Sequence, residues 1–207
     1  MAEQTGIIVD IDDYVFDLVF HDLQGFMAQG IISDDFKLSV NLSGRKLFSE
    51  RLLESLKTYH DHDSSVASKM IIELTERDMI TQLEQCTESI EVIQQLGFEV
   101  AMDDFGTGYS SLGSLKQLPI NILKMDRSFI SELDNETYPS IDLTITSSVL
   151  DIARALNLCA VAEGVETQRQ LEILKQIGCQ VAQGYYLSRP ISKTALITLL
   201  KETPVRH

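Results

Sequence analysis

Residues 101–112 read AMDDFGTGYSSL, a short apolar run that ends in two adjacent aspartates and continues into glycines and hydroxyl side chains. Adjacent carboxylates repel each other, and their desolvation costs free energy unless a partner compensates them. The run before Asp103 has the length of a buried strand, so the aspartates are predicted at its carboxyl end. Some partner must therefore compensate this pair of charges.

Around this stretch, short apolar segments alternate with helical patterns along the whole chain. The predicted strands are 36–42, 70–74, 98–103, 121–125, 158–163 and 180–183. The predicted helices are 13–29, 45–59, 80–96, 111–118, 139–156, 167–177 and 192–201. Asp12 or Asp13 is expected to open the first helix. This alternation, without a hairpin signal, indicates βα units around a mainly parallel sheet.

Each predicted strand has a polar side chain at or near its carboxyl end; these are Asn41, Glu73, Asp103, Lys124, Glu163 and Gln183. We call these six side chains the rim residues. Polar groups at the carboxyl ends of all strands suit a (β/α)-barrel, whose active site lies at that end. A doubly wound sheet would concentrate these groups at one or two switch points. A closed barrel needs about eight strands. We therefore expect one α/β domain over 1–207, a (β/α)8 TIM-type barrel with about six strands visible and the first one or two missing.

The composition describes an acidic globular chain of 207 residues with 44% apolar residues and a formal net charge of −14. This charge argues against a general attraction for duplex nucleic acid or an anionic membrane. The sequence has neither a signal-peptide pattern nor an apolar run of about 20 residues. Its three cysteines form no metal or disulfide pattern, so we expect a cytoplasmic protein with reduced, mostly buried thiols.

The predicted strand ends carry an all-oxygen ligand set, namely Asn41, Glu73, Asp103, Asp104 and Glu163. Mg²⁺ or Mn²⁺ takes such ligands, whereas zinc and copper favour His or Cys. Asp103 could bridge two ions while Asp104 holds the second, and two-metal sites carry out in-line displacement at phosphorus. Lys124 should stay charged among carboxylates and hold the attacking water or stabilise developing negative charge. The spacing therefore indicates a metal-dependent phosphohydrolase.

Each feature has an ordinary structural explanation when taken alone. Adjacent aspartates are often a solvated turn or a helix cap, and Lys124 could simply pair with a carboxylate at the edge of the core. Glu163 and Glu166 could complement a helix dipole. A Schiff-base enzyme with Lys124 as nucleophile is a further alternative, but it would need apolar or cationic surroundings. Only the joint pattern of rim residues favours the metal site.

Six segments carry a family resemblance: Val40-Asn41-Leu42-Ser43, Glu73-Leu74-Thr75-Glu76, the stretch Asp103 to Leu112, Leu123-Lys124-Met125-Asp126-Arg127-Ser128-Phe129, Ala162-Glu163-Gly164-Val165-Glu166-Thr167 and Gln183-Gly184-Tyr185-Tyr186. In this order they resemble the motifs of the EAL family, the bacterial phosphodiesterases of cyclic di-GMP. The resemblance extends from Ala2 to Pro190. It implies a modified (β/α)8 barrel with an antiparallel first strand. It also implies hydrolysis of cyclic di-GMP to linear pGpG with two Mg²⁺ or Mn²⁺ ions, and inhibition by Ca²⁺.

The resemblance also implies residue roles. The metal ligands would be Asn41, Glu73, Asp103, Asp104 and Glu163. The catalytic residues would be Lys124, Glu163, Glu73 and Asp103. The substrate-binding residues would be Asp126, Glu166, Gln183, Arg189 and Pro190. Glu76 would anchor the loop 105–111, which in the family links dimerisation to metal occupancy.

One family motif is absent. The family is named for a Glu-Ala-Leu tripeptide whose glutamate ligates a metal and which usually precedes a substrate-binding arginine; the tripeptide does not occur here. We therefore expect the C-terminal portion of a longer EAL-type domain that is weak or inactive alone. Its open strand edges would favour dimerisation or aggregation. A homodimer and sensor or GGDEF domains are expected in the full-length protein. The alternative is an inactive EAL module that binds cyclic di-GMP or a protein partner.

Overall fold

A computed structural model describes residues 7–108, 112–134 and 141–202 of the chain. They divide into two compact units. The first comprises the described residues of Met1–Leu74, Glu84–Val100 and Pro190–His207, and the second those of Thr75–Leu83 and Ala101–Arg189.

The described residues contain the six predicted strands. They are β1 (Leu38–Asn41), β2 (Met70–Thr75), β3 (Glu99–Phe105), β4 (Ile122–Met125), β5 (Cys159–Ala162) and β6 (Val181–Ala182). The strands follow the order of the chain in one sheet. The β1–β2, β3–β4, β4–β5 and β5–β6 pairs are parallel. The prediction of βα units with parallel strands is confirmed.

Helices precede, connect and follow these strands. They are α1 (Ile7–Ala28), α2 (Gly44–Leu47), α3 (Glu50–His62), α4 (Ser64–Ala67), α5 (Glu76–Thr81), α6 (Leu83–Gln95), α7 (Leu112–Leu115), α8 (Ile141–Ala155), α9 (Gln168–Gln176) and α10 (Lys193–Glu202), with a 3₁₀ helix at Arg127–Phe129. The predicted helix 45–59 is in fact two helices, because Ser49 accepts a hydrogen bond from Leu52 N and starts a new one. Within the described ranges, none of the helices combines the length and the apolar composition that a membrane span requires.

The predicted start of the first helix is wrong. The chain is already helical at Ile7, and Asp12 lies inside α1 with 7% of its surface exposed. Its carboxylate accepts hydrogen bonds from the backbone N and the Oγ of Ser43, while Asp13 pairs with the buried Lys46. These aspartates hold α1 to the segment after β1 instead of capping the helix.

The first unit is built on the apolar face of α1 and on the buried strand β2. Phe16, Phe20, Leu23 and Phe26 of α1 are buried, and every β2 residue except Thr75 is buried as well. The β1–β2 register places Asn41 beside Glu73. The two polar side chains predicted for these strand ends are therefore neighbours.

The second unit has β4 as its centre, and all four residues of that strand are buried. The register places Lys124 beside Val161 and Met125 beside Ala162. Of the three thiols only Cys86, in the first unit, is buried, and Cys159 is exposed. The expectation of mostly buried cysteines is therefore wrong.

Candidate functional site

The end of β3 departs from regular strand geometry at the two aspartates. The β3–β4 register shifts between Met102 and Phe105, and Asp104 has a φ of 55°. Few residues other than glycine adopt this left-handed conformation, and Asp is among those that tolerate it. In a regular strand, adjacent side chains would point to opposite faces. The irregular backbone instead allows both carboxylates to approach the same neighbour.

That neighbour is Glu163, which directly follows β5. Asp103, Asp104 and Glu163 each offer a carboxylate oxygen, and the three oxygens lie within 4.8 Å of one another. An all-oxygen cluster of this size is compatible with a hard divalent cation. The structure thus brings together three of the predicted ligands, in the second unit.

Lys124 lies beside this cluster although only 5% of its surface is exposed. Its Nζ is 3.1 Å from Asp103 Oδ1 and 2.7 Å from Glu163 Oε1. The two ion pairs stabilise the ammonium form. These surroundings are the opposite of the apolar or cationic ones that a Schiff-base lysine requires.

The second aspartate of the pair is electrostatically disfavoured in its charged form. Partial desolvation and the neighbouring carboxylates of Asp103 and Asp126 raise the pKa of Asp104. Desolvation acts in the same direction on Asp126, but the hydrogen bonds donated by Ser128 and Arg127, together with the charge of Arg127, outweigh it, and the pKa of Asp126 is lowered. A cation beside Asp104 would relieve the repulsion.

A cleft of about 420 Å³ opens next to the cluster. Its lining residues are Asp104, Asp126, Arg127, Glu163, Gly164, Glu166, Gln183, Gly184 and Tyr185. Three predicted substrate-binding residues therefore line the same cleft as two predicted ligands. Arg189 lies over the ring of Tyr185, with its guanidinium carbon 4.6 Å from the ring centroid. Pro190 belongs to the first unit.

Sequence reasoning missed two side chains of this cleft, Arg127 and Tyr185. Arg127 is the one cation among the described lining residues, so it is the group best suited to an anionic ligand. Arg127 and Tyr185 follow the ends of β4 and β6 by two and three residues. This position after a strand end is the signal that could have identified both.

The buried Glu76 contacts the segment after the aspartates. Its Oε2 accepts a hydrogen bond of 2.8 Å from Gly106 N. Gly106 has a φ of 98°, and a Cβ there would lie 2.1 Å from Cζ of Phe129, so only glycine fits. Residues 109–111 of the predicted loop 105–111 lie outside the described residues.

Asn41 and Glu73 belong to the first unit and lie beside each other in the β1–β2 register. Glu73 is 6% exposed, and its backbone oxygen accepts a hydrogen bond from Leu42 N at 2.9 Å. Both residues stand at the carboxyl ends of their strands, as predicted.

Comparison with known proteins identifies the family. A family model described as "EAL domain" matches residues 1–190. The bifunctional diguanylate cyclase/cyclic di-GMP phosphodiesterase MucR of Pseudomonas aeruginosa is 37% identical over 197 residues, which are 95% of this chain and 28% of MucR. The cyclic di-GMP phosphodiesterase NbdA of the same organism is 33% identical over 201 residues, 97% of this chain and 25% of NbdA. The chain spans about a quarter of the length of these relatives.

Solved structures agree with the sequence comparison. The PaMucR phosphodiesterase in complex with c-di-GMP superposes with a TM-score of 0.86 at 37% identity, covering 94% of this chain and 77% of that one. The EAL domain of Mycobacterium smegmatis DcpA gives a TM-score of 0.84 at 35% identity, covering 93% and 85%. EAL domains have a TIM-type barrel, so the predicted fold class is confirmed. By the similarity of its sequence and of its structure, this chain belongs to the EAL domain family.

Proposed function

We propose that this chain is part of a cyclic di-GMP-specific phosphodiesterase that opens the cyclic dinucleotide to pGpG. The single observation that carries the proposal is the cluster of Asp103, Asp104 and Glu163 within 4.8 Å at the edge of a cleft. Its relatives MucR and NbdA are named as cyclic di-GMP phosphodiesterases, which supports the choice of substrate.

The donor set fits a pair of Mg²⁺ or Mn²⁺ ions because it consists of carboxylate oxygens. Asp103, Asp104 and Glu163 would hold the ions, and the proposal includes Asn41 and Glu73 as further ligands, as the family motifs imply. Bound ions of this kind lower the pKa of water and neutralise charge on phosphoryl oxygens.

The side chains around the cluster would orient water and substrate. Lys124, which contacts Asp103 and Glu163, would hold the attacking water or stabilise the negative charge that develops on the phosphate. Arg127 would attract a phosphate into an otherwise acidic cleft. Asp126, Glu166 and Gln183 would bind polar groups of the dinucleotide, and we assign Arg189 and Pro190 to the guanine side.

The Glu76–Gly106 hydrogen bond supports a structural role for Glu76. We propose that Glu76 anchors the segment after Asp104, because its carboxylate is buried and accepts from the backbone of that segment. A homodimer and a cytoplasmic location remain part of the proposal.

A hydrolysis assay tests the function directly. The chain, and a form extended through any in-frame residues that its gene encodes before Met1, would be incubated with cyclic di-GMP and Mg²⁺ or EDTA, and pGpG measured by anion-exchange chromatography. We expect Mg²⁺-dependent product, slow for the chain alone because it lacks the Glu-Ala-Leu glutamate. Asp103→Asn should abolish hydrolysis, and Lys37→Met, at a partly exposed ion pair with Glu99, should not change it. If the protein binds cyclic di-GMP but forms no pGpG, with or without Mg²⁺, the proposed enzymatic function is refuted.

The second candidate is an EAL module that signals by binding cyclic di-GMP or a protein partner, and the similarity to the PaMucR complex with c-di-GMP fits it as well. Calorimetry in EDTA separates the candidates. A binding module would retain its affinity for the dinucleotide without divalent metal, whereas the proposed enzyme should lose most of it.

A further inference from the structure

Gln170 is a buried polar side chain that the proposed chemistry does not use. It is the third residue of α9 and is 4% exposed. Its Oε1 accepts hydrogen bonds from Thr167 N at 3.1 Å and from Glu166 N at 2.8 Å. The first bond belongs to the capping box that Thr167 and Gln170 form at the start of α9. The second bond is donated by the backbone N of Glu166, which lies one residue before the capping box and lines the cleft.

The opposite end of the Gln170 side chain contacts a different loop. Its Nε2 donates to Ser131 O at 3.4 Å and to Asp134 Oδ1 at 3.5 Å. The other oxygen of Asp134, Oδ2, accepts a hydrogen bond of 2.7 Å from Thr167 Oγ1. Gln170 and Asp134 therefore link the segment 126–134, which follows β4, to the segment 163–167, which follows β5.

Both linked segments supply side chains to the cleft. Asp126 and Arg127 come from the first, and Glu163 and Glu166 from the second. The two segments pack closely, because a Cβ at Gly164 would lie 2.4 Å from Cβ of Arg127. With so little space between them, a shift of one segment must move the other.

We propose that Gln170 and Asp134 are positioning residues that hold segment 163–167 so that Glu163 and Glu166 face a divalent ion and its phosphate ligand. This inference rests on the proposed function. A simpler account is that Gln170 only caps α9 and stabilises the fold. The two accounts differ in what happens to metal affinity when the link to segment 126–134 is broken while the cap is kept.

Gln170→Glu breaks the link in this way. The substituted carboxylate still accepts from Glu166 N and Thr167 N, but it donates to nothing and lies against the carboxylate of Asp134. Adding Asp134→Asn to the same chain supplies a donor to the substituted carboxylate, keeps an oxygen for Thr167 Oγ1, and returns the net charge to its original value. Gln168→Glu is the matched control, because exposed Gln168 donates to Glu172 of the same helix and its substitution adds the same charge to the same turn.

Mn²⁺ affinity, measured by electron paramagnetic resonance of free Mn²⁺ on folded protein, is the readout. We expect about tenfold weaker binding in Gln170→Glu, affinity within about twofold of the wild type in Gln168→Glu, and recovery to within about twofold in Gln170→Glu/Asp134→Asn. Unchanged Mn²⁺ affinity in a less stable Gln170→Glu would overturn the inference, as would a double variant that does not recover.

Two further outcomes are also decisive. If Gln170→Glu does not fold, Asp134→Asn alone removes one acceptor and should weaken Mn²⁺ binding about threefold; wild-type affinity in that folded variant would overturn the inference. A wild-type chain that binds no Mn²⁺ would instead refute the metal site of the proposed function. Equal binding by wild type and Gln170→Glu would refute the positioning role alone.

Discussion

Replacing Lys124 with methionine removes the cation from the carboxylate cluster at nearly constant side-chain length. Lys124 is 5% exposed, and its two partners, Asp103 and Glu163, have side chains that are 16% and 19% exposed. The substitution therefore leaves two poorly hydrated carboxylates without their ammonium partner. Breaking a buried ion pair in this way costs about 3–5 kcal/mol. Because both carboxylates keep some contact with water, we expect about 3 kcal/mol in metal-free protein.

Mn²⁺ should recover part of this loss. Removal of Lys124 also removes its repulsion of the bound ions, so Mn²⁺ should bind the variant more tightly than this loss alone would suggest. The difference in unfolding free energy between Lys124→Met and wild type should therefore be clearly smaller in saturating Mn²⁺ than in EDTA. Urea denaturation followed by circular dichroism, in EDTA and in Mn²⁺, measures both differences.

Lys46→Met is the matched control. Lys46 is 1% exposed and pairs with Asp13, which is not one of the three clustered carboxylates. Its loss should also destabilise the metal-free protein, by an amount that Mn²⁺ does not change. If the difference in unfolding free energy between Lys124→Met and wild type is the same in EDTA and in Mn²⁺, no cation occupies the cluster of Asp103, Asp104 and Glu163.

Three further predictions concern the same region. Gly164→Ala should lower the free energy of unfolding by about 3 kcal/mol, because its φ is 71° and the new Cβ would lie 2.4 Å from Cβ of Arg127. The control is Gly30→Ala, which has a similar φ of 62° but no atom within 4 Å of the new Cβ, and it should cost only about 1–2 kcal/mol. Thermal unfolding measures both variants. Asp104→Asn should stabilise metal-free protein at neutral pH, because the raised pKa of Asp104 means that its charged form opposes folding. The gain should disappear below about pH 4, where the carboxyl is neutral in both states, and an equal gain at about pH 3 in urea titrations would contradict this cause. Glu76→Gln should weaken the bond to Gly106 N and speed exchange of that amide about tenfold by mass spectrometry; unchanged exchange would show that the carboxylate does not anchor the segment.

Much of the fold could be predicted because buried parallel strands are short apolar runs. All six strands are predicted to within a few residues. Their alternation with helices indicates a parallel sheet, and the polar side chain at each strand end favours a barrel over a doubly wound sheet. The proximity of Asp103 and Glu163 also follows from topology, because the carboxyl ends of parallel strands meet at one edge of a sheet. Lys124 was placed correctly for the same reason.

The features that sequence reasoning missed depend on contacts between distant residues. Asp12 and Asp13 have the chemistry of helix caps, but Ser43 and Lys46, about thirty residues later, bind them inside α1. The register shift after Met102 and the positive φ of Asp104 have no local signal beyond the pair of aspartates itself. The link between Gln170 and Asp134 spans 36 residues, so neither side chain could be identified from its own neighbourhood in the sequence.

Anomalous diffraction from crystals soaked in Mn²⁺ would show directly whether the three carboxylates hold metal ions. We expect two Mn²⁺ peaks about 3.5–4 Å apart, with Asp103 between them and Asp104 and Glu163 among the ligands. Cyclic di-GMP bound in the cleft of Mn²⁺-soaked crystals, with no anomalous peak at these three carboxylates, would contradict this expectation.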